Sequence, residues 1–176
     1  MRLFVGLFPP EDVLLELREL LTRALGGAGR RVRLTPVERW HLTLAFLGEV
    51  DPGRLGDVGR ALDGVPAAGP ITLRMSGGGS FGRGRSSVLW AGVDGDLAGL
   101  VALQAGIREA LEEHGLPHDT RPFTPHLTVA YATSPDVRAA LTDHAGPTWT
   151  AQDFVLVHSR HTEGAGYEIL RSWPCS

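Results

Sequence analysis

The chain has 176 residues, 43% hydrophobic and 21% charged, an ordinary globular balance that excludes disordered and collagen-like chains and fits one domain or two small lobes sharing a core. Its net charge of −3 and pI near 6.1 exclude broad binding along a nucleic-acid backbone, which needs a basic surplus, but leave open a small anionic ligand or one end of a polynucleotide. All 17 basic residues are arginine, so a P-loop lysine, a Schiff-base lysine and a lysyl-nucleotide intermediate are excluded too.

Taken in chain order, "LFVGLF" (3–8) is the first buried strand. It is cut short by Pro9 and Pro10, too brief for a signal sequence or a membrane span, and a cytoplasmic location is expected. An amphipathic helix follows, with Leu14, Leu17, Leu21, Ala24 and Leu25 on one stripe, ending at glycines 26–27. "HLTLAFL" (41–47) is a strand, followed by a turn and a short helix from about Asp51. "ITLRMS" (71–76) is another strand, and "SGGGSFGRGRSS" (76–87) reads as a flexible glycine-rich loop. "VLWAGV" (88–93) then opens a second copy of the same layout. Its helix carries Leu100, Leu103, Ile107, Ala110 and Leu111 at the spacings of the first stripe and stops at His114–Gly115. Its strand is "HLTVAYA" at 126–132, an offset of 85, and its short helix begins near Asp136, with His144 at its end. "DFVLVHS" (153–159) and "YEILRSW" (167–173) close the set of strands. Alternating strands and helices in two similar halves give an α+β or α/β architecture, and the polar positions inside the His-Leu-Thr strands favour antiparallel sheets. The single cysteine, Cys175, permits no internal disulfide and no cysteine-based zinc site.

In a strand alternate side chains share a face, so His41 and Thr43 point to one side while Leu42 and Leu44 point to the other. His126 and Thr128 oppose Leu127 and Val129 in the same way. Two imidazoles flanking a phosphate suit in-line displacement, one accepting a proton from the nucleophile while the other protonates the leaving oxygen. Threonine hydroxyls can hold the non-bridging oxygens, and no metal or cofactor is required. A third match, "HDT" at 118–120, lies in a proline-bounded stretch and is assigned to a loop. His114 and His118 are separated by helix breakers and make a poor metal pair, and His158 and His161 sit near a strand end. Strand parity places Phe46 and Tyr131 on the leucine side, in the core, unless a bulge shifts the register.

The paired motifs, with "MRLFVGL", "HLTLAFLGEV", "VLWAGV" and "RPFTPHLTVA", resemble the two-histidine (2H) phosphoesterase superfamily. Within it the chain is most similar to the RNA 2′,3′-cyclic phosphodiesterases, also called 2′-5′ RNA ligases (LigT or ThpR type). The resemblance runs nearly the full chain. It implies an α+β bilobal, duplicated fold with two antiparallel sheets lining a central cleft and helices outside. That is one domain, 1–176, of two pseudo-symmetric lobes (roughly 1–85 and 86–176), with exchange of terminal strands left open. It further implies a monomeric enzyme that opens a terminal 2′,3′-cyclic phosphate of RNA to a 2′-phosphate, with 2′-5′ joining in vitro. His41 would be the acid, His126 the base, and Thr43 and Thr128 phosphate ligands. Relatives often carry arginine where this chain has Tyr131, which leaves Arg121 as the first candidate for a phosphate-binding cation, ahead of Arg83 and Arg85. The alternatives are the same chemistry on a small cyclic nucleotide or an ADP-ribose cyclic phosphate, and a non-catalytic module that binds RNA ends.

Overall fold

In the computed structural model, residues 1–26, 32–160 and 166–176 are described; Gly27 and His161 lie outside them. Eight strands and four α-helices follow in the order β1 (Arg2–Leu7), α1 (Glu11–Leu25), β2 (Leu42–Glu49), α2 (Leu55–Asp63), β3 (Ile71–Phe81), β4 (Val88–Gly95), α3 (Leu97–Glu113), β5 (Leu127–Ala130), α4 (Pro135–Thr142), β6 (Ala145–Ala151), β7 (Asp153–Ser159) and β8 (Tyr167–Pro174). Of the stripes read from the sequence, Leu14, Leu17 and Leu21 on α1 are buried while Ala24 and Leu25 are partly exposed, and Leu100, Leu103, Ile107, Ala110 and Leu111 on α3 are all buried. Asp96 caps α3 by accepting from the Gly99 amide, and Ser134 caps α4 by accepting from Val137. α3 stops at Gly115, whose φ of 59° is the left-handed turn that glycine adopts without strain.

The strands form one antiparallel sheet in the order β6-β3-β4-β5-β2-β1-β7-β8. Its two four-stranded halves meet at a single pair, Leu42 with Leu127. Those residues are equivalent under the 85-residue offset of the two motifs. β3 lies beside β4 and β6, and β7 and β8 lie beside β1. The chain therefore crosses between halves after α2 and again after β6. α1 packs against α4 and β6, and α3 against α2, β2 and β3.

Two segments differ from the sequence reading. The glycines at 77–79 are part of β3, which runs on to Phe81. Gly78 and Gly79 admit close contact: a Cβ on Gly78 would meet the Trp90 carbonyl oxygen at 2.5 Å and Leu141 at 2.8 Å, and one on Gly79 would meet the Trp90 ring at 2.8 Å, while Gly77 takes a left-handed φ of 66°. "AGPTWTA" at 145–151, to which the sequence reading assigns no strand, is β6 at the sheet edge, where Pro147 costs no ladder hydrogen bond to a missing neighbour.

Gly78→Ala is expected to destabilise the fold by about 1–3 kcal/mol, because backbone cannot yield as a flexible side chain does. Urea unfolding measures it, and an unchanged midpoint would contradict the packing described here.

Candidate active site

The histidines sit one residue before β2 and β5, at the pair that joins the two halves. Each ring is held in the same way. The His41 Nδ1–H donates to the Arg39 carbonyl at 2.7 Å, and the His126 Nδ1–H to the Thr124 carbonyl at 2.7 Å. A carbonyl only accepts, so Nδ1 carries the proton and, in each neutral ring, Nε2 is left to exchange protons. Thr43 Oγ1 lies 2.9 Å from His41 Nε2 and donates to it while the ring is neutral. His41, Thr43, His126 and Thr128 line one cavity of about 230 Å³.

Both strands break parity at the same place. Along β2, Leu42 is buried, Thr43 partly exposed, Leu44 and Ala45 both buried, and Phe46 partly exposed; along β5, Leu127, Thr128, Val129 and Ala130 repeat the series. The register slips at Leu44 against β1 and at Val129 against β4, which marks a β-bulge in each. Each bulge has a polar partner for its carbonyl. Gln104 of α3, buried, donates to Leu44 O at 3.3 Å, while Thr35 donates its amide (2.8 Å) and hydroxyl (3.1 Å) to Val129 O. The buried Trp40 indole in turn donates to Thr35 Oγ1 at 2.8 Å. The consequence corrects the parity argument: Phe46 and Tyr131 line the cavity with the histidines, and Tyr131 is 71% exposed.

The surroundings of the two rings differ. Phe4 stacks on His41 at 4.4 Å and 22°, with Phe8 tilted at 5.4 Å and Tyr167 edge-on at 5.4 Å. Gly6 makes room for this: a Cβ there would lie 3.2 Å from Phe4 and 3.3 Å from the imidazole. His126 meets Phe81 edge-on at 5.1 Å and Trp90 at 6.1 Å. Burial pushes the His41 pKa down to about 4; the carbonyl of Arg39 opposes that shift and the charge of His126 adds to it. Burial and then Tyr131 raise the Tyr167 phenol above its ordinary value, while Arg39 and Arg2 oppose them.

Arg121 does not line this cavity. It is 85% exposed, bonded to Asp119 through its own amide (2.9 Å) and Nε (2.8 Å), and borders an adjoining groove that shares Thr43, Phe46 and His126 with the cavity. Arg83 and Arg85 are exposed and line neither space. The cations on the cavity wall are Arg2 and Arg39, which the sequence reading passed over; the only hint of Arg39 was its place two residues before His41. Among the other histidines, His118 lies in a loop 3.1 Å from Glu112, and His114 Nδ1 is 2.9 Å from Ala110 O. His144, just past α4, is buried 3.1 Å from Glu16 of α1. His158 lies 3.7 Å from Glu168.

A model of the 2′-5′ RNA ligase superfamily matches residues 3–163. The chain belongs to this superfamily. Two relatives are both named RNA 2′,3′-cyclic phosphodiesterase. The one from Thermus thermophilus is 32% identical over 182 aligned positions, covering 98% of this chain and 89% of that protein. The one from Geobacillus stearothermophilus is 33% identical over 78% of this chain, and the match spans 46% of that longer protein. Among solved structures, Escherichia coli LigT complexed with 3′-AMP superposes with a TM-score of 0.80 at 25% identity, covering 98% of this chain and 97% of the other. Membership bears out the resemblance drawn from the paired motifs and the α+β LigT-like fold. No described helix is long and apolar enough to cross a membrane.

The His41 ring protons are expected to titrate near pH 4 by NMR. Its folded pKa lies below the unfolded value of 6.5, so the unfolded chain takes up the proton first. The stability of the folded state is full above about pH 6.5 and falls as the pH drops towards 4. Chemical denaturation across that range should show the fall in wild type and a shallower one in His41→Asn; parallel curves would contradict the assignment.

Proposed function

We propose that the chain hydrolyses the terminal 2′,3′-cyclic phosphate of RNA to a 2′-phosphate through His41 and His126, with Thr43 and Thr128 as phosphate ligands. One observation carries the reading: two imidazoles, each fixed through Nδ1 by a backbone carbonyl, share one cavity with two threonine hydroxyls. The names of the relatives place RNA cyclic-phosphate chemistry in the same superfamily.

The step is an in-line displacement. One imidazole takes a proton as the water oxygen bonds to phosphorus, and the other gives a proton to the 3′ oxygen as its bond to phosphorus breaks, leaving a 3′-hydroxyl and a 2′-phosphate. The threonine hydroxyls hold the non-bridging oxygens, whose charge grows in the transition state. His41 takes the acid role and His126 the base role, in line with the resemblance. Because burial leaves His41 neutral near pH 7 in the free protein, its acid role requires the bound phosphate anion, which stabilises the imidazolium and raises its pKa. Both histidines and both threonines come from one chain, which suits a monomer, and a cytoplasmic setting suits a substrate made by RNA cleavage. Joining of 2′-5′ ends is the same displacement with a 5′-hydroxyl in place of the attacking water, and in water hydrolysis dominates.

The test uses an RNA oligomer ending in a 2′,3′-cyclic phosphate, in EDTA. Wild type should form the 2′-phosphate, and His41→Ala and His126→Ala should each lower kcat/KM by about 100-fold or more. Loss of turnover on adding EDTA, or full activity in both variants, would refute the mechanism. The rate should follow a bell-shaped pH profile; one that simply rises with pH would contradict paired acid and base roles.

A further inference from the structure

The cavity adjoins a second, larger space on its His126 side. This groove, of about 510 Å³, shares Thr43, Phe46 and His126 with the cavity, whereas His41 lines the cavity alone. The imidazole in the base role thus stands at the seam of the two spaces, and the one in the acid role lies away from it. In-line attack brings the entering oxygen to the base, on the opposite side of phosphorus from the leaving 3′ oxygen. The ribose that carries the cyclic phosphate therefore stays towards His41, and the groove lies on the side from which the nucleophile arrives. A water molecule takes up only about 30 Å³, so hydrolysis leaves most of the groove without a use.

The walls of the groove suit a flat, uncharged ring. Phe81, at the end of β3, stacks on Trp90 at 5.0 Å and 28° and meets His126 edge-on at 5.1 Å, yet is 40% exposed. An aromatic ring held in this way offers a stacking surface beside the base. Phe123 also lines the groove. So does Gln104, whose amide nitrogen is committed to Leu44 O at 3.3 Å. A carbonyl only accepts, so the Gln104 side-chain oxygen is left as an acceptor, and among the described residues nothing donates to it. The two charged residues of the lining, Asp119 and Arg121, are bonded to each other at 2.8 Å, so this wall presents no net charge to a phosphate.

We propose that the groove is a nucleoside site whose occupant supplies a 5′-hydroxyl as nucleophile in place of water. The base stacks on Phe81, its amino group donates to Gln104 Oε1, and the 5′-hydroxyl reaches His126. His126 takes the hydroxyl proton as the 5′ oxygen bonds to phosphorus. The bond from phosphorus to the 3′ oxygen breaks and His41 protonates that oxygen, leaving a 2′-5′ phosphodiester and a 3′-hydroxyl. This step rests on the histidine roles proposed above, whereas occupation of the groove by a nucleoside does not.

Binding is read by NMR, following the Gln104 side-chain amide and the Phe81 ring protons as adenosine is added. Both should shift saturably in wild type. The Gln104 signal should report an affinity about tenfold weaker in Phe81→Leu, with thermal unfolding showing an intact fold. Purine riboside, which lacks the amino group, should bind wild type about fivefold more weakly than adenosine. No shift at either residue, or equal affinities in wild type and variant, overturns the site.

Turnover is read with an RNA ending in a 2′,3′-cyclic phosphate, in EDTA, as the ratio of 2′-5′-joined product to 2′-phosphate. The ratio isolates the groove, because both products come from the same bound phosphate and the same histidines. It should rise with adenosine and saturate where binding does, fall about tenfold in Phe81→Leu at subsaturating adenosine, and be zero with 5′-deoxyadenosine. Absence of joined product at saturating adenosine overturns the nucleophile role. If adenosine also raises the KM of the RNA, the groove holds the base of the RNA end itself, and the proposal fails. A protein that binds adenosine in the groove but opens no cyclic phosphate refutes the hydrolysis and leaves the nucleoside site standing.

Discussion

One strand contact governs the rest of this structure. Leu42 and Leu127, both fully buried, form the only strand pair between the two halves of the sheet among the described residues, and each immediately follows a histidine. Joining the halves there brings the two imidazoles into one cavity. Joined anywhere else, the same motifs would lie on separate walls. The side-chain period of two fixes Leu42 and Leu127 inward and leaves the polar residues on either side of them turned to the cavity.

The bulges extend this arrangement. An unbroken strand would have sent Phe46 and Tyr131 into the core; one extra residue per strand turns them to the cavity instead. The distortion leaves one carbonyl per bulge without its ladder partner, which is costly when buried. Gln104 and Thr35 answer that need from opposite sides. α3 and the segment before β2 thus each support one bulge. The repeated solution points to a device present in both halves, while the supporting groups, an amide from a helix and a threonine from a loop, are unlike.

Equivalence of backbone does not carry over to electrostatics. His41 is packed by Phe4, Phe8 and Tyr167 and loses basicity to burial, whereas His126 meets Phe81 and Trp90 edge-on. Acid and base duties can be divided between two chemically identical groups when their surroundings differ. Gly6 is the smallest part of that difference and a necessary one, because a side chain there would press on both Phe4 and the imidazole.

Much of this was legible in the sequence. The repeated six-residue motif, the matching helix stripes and the absence of lysine follow from residue identity and spacing, and local periodicity was enough to locate α1, α3, β2 and β5 and to name His41, Thr43, His126 and Thr128. The structure alone decided the strand order, because β3 meets β6 and β7 meets β1 through contacts distant in sequence. It also decided that Gly78 and Gly79 serve close packing against Trp90 and Leu141, and that an edge position makes a strand of a proline-containing segment. The cations of the cavity could not be read either. Arg121 looked suitable from its place in "RPF", but Asp119 holds it outside, while Arg2 and Arg39 reach the wall from β1 and the turn before its partner β2. Periodicity reports which face a residue occupies within its own element, and only the packing of elements settles what that face meets.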